Sequence, residues 1–230
     1  MLIRTGAERT NRIDLTLAAV LSCVAGALNA VGFTVAGSFT ANMTGNLSML
    51  AEEAARGRIG LALSFGGLVV AFVAGAAVAA LAIQWGEARG IRAIYALAIL
   101  GEAAVVLALA LILLAFPGAA RETQAVIVMS FALGLQNAVT TVISRAKVRT
   151  THVSGMATDI GIGFAALLGG AEARREAGPK LRLHGLTLGC FCVGGVLGAR
   201  GYMVWGDGLF LLAGGVLAAV ALPDLWRAWR

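Results

Sequence analysis

Leu21-Ser22-Cys23-Val24-Ala25-Gly26-Ala27-Leu28-Asn29-Ala30-Val31 returns 108 residues later as Met129-Ser130-Phe131-Ala132-Leu133-Gly134-Leu135-Gln136-Asn137-Ala138-Val139. The echo continues downstream. Thr40-Ala41-Asn42-Met43-Thr44-Gly45-Asn46-Leu47-Ser48 matches Thr150-Thr151-His152-Val153-Ser154-Gly155-Met156-Ala157-Thr158, and Phe72-Val73-Ala74-Gly75 matches Phe191-Cys192-Val193-Gly194. The offset grows from 108 to 110 to 119, as loop insertions would make it. The chain therefore reads as one membrane domain over 1–230 made of two homologous halves, 12–118 and 119–230. A polar pattern kept in both halves of an apolar chain points to a site between repeats, the arrangement of many transporters.

The membrane assignment comes from composition. With 59% hydrophobic residues, 13% charged residues and a mean hydropathy of +0.87, the chain is far from a soluble domain, where charged residues make up about a quarter. The net charge of +6 does not indicate a nucleic-acid partner. The basic residues lie between apolar runs rather than on one face, and so read as topology signals. Cys23, Cys190 and Cys192 are odd in number and sit in apolar segments, where thiols behave as small hydrophobes. Arg4, Arg9 and Arg12 before an apolar stretch resemble a secretory leader. The return of that stretch at 129–139 favours its retention.

Apolar segments near the 20 residues that span a bilayer core lie at 15–36, 61–84, 93–116, 123–143, 184–204 and 207–223. Two further segments, 40–52 and 153–171, follow the first span of each half. The former holds Asn42, Thr44, Asn46 and Ser48 and is short and polar for a lipid-exposed span, so a re-entrant or broken helix fits it better. The expected fold is an all-α integral membrane protein of about six spans plus two shorter polar helices. The alternative is eight spans in parallel 4+4 repeats. With eight crossings, twelve of the 18 Lys and Arg fall on the side of the N-terminus, and with six, fourteen do. The cleaner split favours six crossings, inverted halves and cytoplasmic termini. Residues 172–183, with Arg174, Arg175, Glu176 and Lys180, read as a hydrophilic cytoplasmic connection. Trp85, Tyr95, Tyr202, Trp205, Trp226 and Trp229 read as interfacial anchors. Small residues at Gly67, Ala71, Gly75 and Ala79, and at Gly194 and Gly198, let helix backbones approach.

Few residues could carry chemistry. Asn29 and Asn137 are matched amides near span ends, equally suited to binding a neutral polar solute or to tying off broken-helix backbone. Thr44-Gly45 and Ser154-Gly155, with Asn42, Asn46 and His152 about them, sit where half-helix N-termini would face the repeat interface. Free N–H groups there favour an anionic or strongly polar ligand, whereas simple N-capping is the plainer explanation. Asp159 lies seven residues after His152 and four after Gly155, on one helical face. Its equivalent in the first half is Met49, so proton or ion coupling would belong to one half only, with His152 as a proton partner. Glu102, deep in the fourth segment, should be protonated or paired, with Arg145, Lys147 or Arg149 as partners if the fold brings them close. No P-loop, HExxH, magnesium-binding Asp motif or zinc-type Cys/His cluster occurs. No enzyme activity, cofactor or metal is expected.

At these motifs the chain resembles the YoaK-like family of bacterial membrane proteins, a domain of unknown function. The resemblance rests on Gly26-Ala27-Leu28-Asn29-Ala30, Phe39-Thr40-Ala41-Asn42-Met43-Thr44-Gly45-Asn46, Gly134-Leu135-Gln136-Asn137-Ala138 and Thr150-Thr151-His152-Val153-Ser154-Gly155, and runs from about residue 12 to 225. It implies a bacterial inner-membrane protein of about six spans, sometimes supposed to be a transporter, with no established substrate. Family members carry an acid where this chain has Asn29, which weakens any role for a carboxylate there.

The expected function is secondary transport of an unidentified small polar solute, with coupling to protons or another cation through Asp159 and Glu102. A channel or exporter pore and a non-transporting membrane scaffold are the alternatives. The expected partners are the lipid bilayer and the solute, and the small-residue faces could pack within one chain or between copies in a homo-oligomer.

Overall fold

The computed structural model describes residues 1–116 and 120–230, without the side chains of residues 7, 120, 122 and 123. Eight α-helices are present among them: α1 Asn11–Ala36, α2 Met43–Ala55, α3 Ile59–Ala88, α4 Ile94–Ala115, α5 Ala120–Ile143, α6 Val153–Leu167, α7 Ala171–Trp205 and α8 Gly208–Ala228. Six of them, all but α2 and α6, are long and apolar enough to cross a membrane. At 1.5 Å per residue, α2 and α6 measure only about 20 and 22 Å, short of the roughly 30 Å hydrocarbon core. The chain is an all-α integral membrane protein. The proposed boundary between halves at 118/119 falls outside the described residues.

Local signals fix the ends of the first helices. Thr10 caps α1 by accepting from the Ile13 N–H at 3.4 Å, and Gly37 ends it in the left-handed region at φ 65°. Asn42 caps α2 through the Gly45 N–H at 3.0 Å.

One expectation is corrected at α7. Residues 172–183 are not a connecting loop but the first turns of a 35-residue helix. Alanine, glutamate, arginine and lysine are strong helix formers, so a charged composition excluded the membrane core without excluding a helix. At about 52 Å, α7 is longer than the core, and its polar start projects beyond it.

The packing pairs fall into a matched pattern. α1 packs on α7 as α5 packs on α3, α2 packs on α3 as α6 packs on α7, and α4 packs on α8. Glycines set the closest approaches. A β-carbon on Gly26 would lie 2.0 Å from the Phe191 carbonyl oxygen, and one on Gly194 would lie 1.9 Å from that of Cys23. The same crossing recurs between α5 and α3. A β-carbon on Gly134 would lie 2.0 Å from the Phe72 carbonyl oxygen, and one on Gly75 would lie 1.9 Å from that of Phe131. Gly67 has no neighbour within 4 Å, so the small-residue stripe of α3 works only at its Gly75 and Ala79 end.

The aromatic residues divide. Trp85, Trp205, Trp226 and Trp229 are exposed, as anchors should be. Tyr95 is not an anchor. It is buried, and its hydroxyl donates to Glu87 at 2.5 Å across the α3–α4 turn. The Tyr202 hydroxyl donates to Asp207 at 3.3 Å beside the α7–α8 turn.

The first residues, the Asp224 end of α8 and Arg145 after α5 lie at one end of the bundle. The backbone N–H of Leu2 donates to Asp224 at 2.6 Å, and Gly6 adjoins the Arg145 guanidinium.

Candidate functional site

Two polar chain segments turn back into the bundle. After α1 ends at Ala36, Thr40 returns to the level of Leu28, donating its hydroxyl to that carbonyl at 3.3 Å. The Ala41 N–H donates to Asn29 Oδ1 at 2.8 Å, and across the bundle Ser130 Oγ of α5 donates to the Thr40 carbonyl at 2.6 Å. After α5 ends at Ile143, Thr150 likewise returns to the level of Gln136, whose Nε2 donates to Thr150 Oγ1 at 3.2 Å and to the Leu21 carbonyl of α1 at 2.9 Å.

These bonds set directions. Leu28 is level with Ser130, and Leu21 with Gln136, so α1 and α5 run antiparallel. Eight crossings would make them parallel. The two re-entrant tips approach from opposite ends of the bundle, and seven residues of α1 separate their levels, about 10 Å. From its tip α2 runs back outward against α3, with Leu50 beside Gly66, and α6 runs back against α7, with Leu181 beside Gly163.

The tips differ in how their polar groups are satisfied. In the first, Thr40, Asn29 and Ser130 are all hydrogen-bonded, and buried Asn46 donates Nδ2 to the Phe39 carbonyl at 2.9 Å. In the second, Gln136 Oε1, Asn137 Oδ1, Thr141 Oγ1 and Arg149 Nε, together with Ser22 Oγ of α1, are buried and make no hydrogen bond among the described residues. Asn137 stands where Asn29 stands in the first half, but its oxygen holds no loop N–H. Buried polar groups are normally paired, and these five are not paired with the protein's own groups.

The site residues expected from sequence scatter about these tips. Asn29 and Asn46 are buried and committed to the first tip, while Asn42, Thr44, His152 and Ser154 are exposed and Gly45 and Gly155 partly so. Asn42 is a cap, and its oxygen occupies the Gly45 N–H that an anion would use. Asp159 faces His184 of α7 rather than His152. Its Oδ2 lies 3.8 Å from His184 Nδ1. Glu102 is fully buried in α4 with neither carboxyl oxygen bonded, and no ion pair joins it to Arg145, Lys147 or Arg149. Sequence reasoning passed over Ser22, Thr40, Ser130, Gln136, Thr150 and His184. Two pairs, Ser22/Ser130 and Thr40/Thr150, stand at matched places in the echo, and that was the available signal.

Beyond the second tip a cavity of about 940 Å³ opens between the start of α1, the 144–152 segment, α6 and the first half of α7. Asp14, Lys147, Asp159, Glu176 and His184 are in its wall. Asp14 is already held by Arg9 at 2.6 Å. No group of three or more His, Cys, Asp or Glu suited to a metal occurs among the described residues.

No curated protein and no solved structure matches the chain. A family model described as "Protein of unknown function (DUF1275)" matches residues 17–222, which take in both tips, all six long helices in whole or in part, and both Asp159 and His184. Covering most of the chain, that match shows that the protein belongs to this family of unknown function.

Proposed function

We propose that the protein is a secondary transporter of a small polar solute in the bacterial inner membrane, built from inverted halves with both termini in the cytoplasm. The carrying observation is the pair of re-entrant tips that approach from opposite ends along antiparallel α1 and α5. Non-helical backbone at membrane depth is tolerated where it is buried in protein or lines a cavity, and in transporters such broken segments form the binding site. The solute sits at the second tip, where Ser22, Gln136 and Asn137 keep unbonded polar atoms. Asn29, Asn46, Asn42, Thr44 and Gly45 shape the first tip, while His152, Ser154 and Gly155 open α6. Asp159 and Glu102 are the coupling groups, since intramembrane carboxyls commonly handle ions or protons.

The test is flux into vesicles holding the purified protein, with a pH-sensitive dye reporting proton movement across a panel of sugars, amino acids and polyols. Gln136→Leu and Asp159→Asn should abolish or uncouple the flux. Unchanged flux and proton uptake in both variants would refute the reading.

A scaffold without transport is the second reading, and the saturated first tip favours it, because there the matched polar residues serve as glue. Loss of stability on mutation without any solute-dependent thermal shift would select it.

A further inference from the structure

Asp159 and His184 face each other across the α6–α7 hairpin. The flanking levels of that hairpin are closed by apolar or small groups. Gly163 lies against Leu181 on one side, and buried Met156 and Thr187 lie on the other. The ionisable pair is thus the polar step in a tight seam, and both members open onto the 940 Å³ cavity.

The first half fills the same place differently. By the offsets of the sequence echo, 110 for α6 and 119 for α7, Asp159 corresponds to Met49 and His184 to Phe65. Met49 and Phe65 pack with the apolar core, and the next residues along, Leu50 and Gly66, touch. An apolar pair suffices to hold such a hairpin together. An acid and a histidine replacing it together, both against a cavity, indicate a use beyond packing.

The geometry suggests that use. His184 Nδ1 is buried and makes no hydrogen bond, and at 3.8 Å from Asp159 Oδ2 it is too far for one. A neutral imidazole that carries its proton on Nε2 leaves that nitrogen with no N–H to offer the carboxylate. A proton arriving from the cavity would bind Nδ1 and give it an N–H facing the carboxylate. A charge-assisted hydrogen bond closes to about 2.7–2.9 Å, so the two side chains would draw together by about 1 Å across the hairpin. No other bond is made or broken.

The neighbouring charges do not switch with it. Asp14 on α1 is bound to Arg9, Lys147 comes from the 144–152 segment, and Glu176, Lys180 and Arg182 come from α7 itself. Carboxylates, lysine and arginine ordinarily keep their charge between pH 5 and 8, and histidine is the side chain that changes there. His152 caps α6 with its ring against Gly155 and has no contact with Asp159 among the described interactions.

We propose that Asp159 and His184 form a proton-binding clasp between α6 and α7 on the cavity beside the second tip. The clasp rests on the transporter reading only in serving as its coupling site. A charged His184 closes the clasp, and a ring with its only proton on Nε2 leaves it open.

The experiment is a double-mutant cycle on the full chain in detergent, using Asp159→Met, His184→Phe and the double variant, which installs the pair the first half already packs. Thermal unfolding is followed at pH 5.5 and pH 8.0. Coupling between the two positions should appear at pH 5.5 as a shift of about 2–4 °C in the midpoint, the size of a 1 kcal/mol effect in a chain this long, and vanish at pH 8.0. Equal coupling at both pH values, or none at either, overturns the proposal. Should the His184→Phe protein not fold, Asp159→Asn, which changes an exposed side chain, must remove the stabilisation gained on acidification relative to wild type, and retention of that gain overturns it. Because no solute or gradient enters this measurement, pH-dependent coupling in a protein that moves nothing would sink the transporter reading alone. Flux that survives without the coupling would sink the clasp alone.

Discussion

Gly26 of α1 and Phe191 of α7 meet backbone to backbone, and a β-carbon on the glycine would stand 2.0 Å from the Phe191 carbonyl oxygen. Gly134 and Phe72, their equivalents in the echo, meet at the same distance between α5 and α3. Helices in lipid gain little from burying apolar surface against one another, so close backbone approach through small residues carries much of their association. Gly26, Gly194, Gly134 and Gly75 therefore hold the α1–α7 and α3–α5 contacts that keep α1 and α5 beside the re-entrant tips.

Alanine at Gly26 or Gly134 should separate these helices. Overpacking of this kind costs about 1–3 kcal/mol, and at about 2–4 °C per kcal/mol the unfolding midpoint in detergent should fall by several degrees. Gly67→Ala, with nothing within 4 Å of the added carbon, should leave it unchanged. Equal effects at all three positions would show that the close approach is not what matters.

The two matched asparagines should part company. Asn29→Ala strands the Ala41 N–H and should cost about 1–3 kcal/mol. Asn137→Ala removes an oxygen that holds nothing and should leave the melting midpoint near that of wild type while impairing solute flux. Thermal unfolding and vesicle flux on the same preparations separate the two effects.

The turn between α2 and α3 should loosen in acid. Arg58 hydrogen-bonds Glu53 at 2.7 Å, which holds its carboxyl below the ordinary carboxylate range. A carboxyl depressed in the folded state stabilises above its unfolded value, and that contribution is lost as pH falls through the folded value. Hydrogen exchange at residues 54–60, corrected for intrinsic rates, should show protection at pH 6 that declines below about pH 4. Arg58→Ala should show little protection at either pH.

Glu102 makes no ion pair or hydrogen bond, so Glu102→Gln has no partner to strand. Its melting midpoint should stay close to that of wild type, while proton-coupled flux falls. A large loss of stability would place a partner against the carboxyl after all.

The number and kind of helices were legible in the sequence because a membrane span is a length of apolar chain. All six long helices coincide with the apolar runs, and the polar segment at 40–52 became the short α2. The first turns of α7 are hidden in the sequence because Glu172, Arg174, Arg175 and Lys180 exclude lipid and so resemble a loop between spans, although they are strong helix formers. The core of the site was the least legible. Thr40, Ser130 and Thr150 are small hydroxyl residues that the sequence does not set apart, and only the depth of the re-entrant tips turns them into bonding partners. His184 lay at the edge of a span, and its position opposite Asp159 depends on a hairpin register that a single sequence does not display. Tyr95 was misjudged for a related reason, because the acceptor Glu87 lies on the preceding helix.

Inverted halves and re-entrant tips are tested most directly by the side of the membrane on which each short connection lies. On a background with Cys23, Cys190 and Cys192 replaced by serine, Arg56→Cys and Lys147→Cys are exposed positions in the connections after α2 and α5. Intact cells are treated with a membrane-impermeant maleimide. With α1 and α5 antiparallel, the cysteine at 56 should label from outside, and the cysteine at 147 only after the cells are opened. Labelling of 147 and protection of 56 in intact cells would mean eight crossings with parallel halves, and would contradict the account.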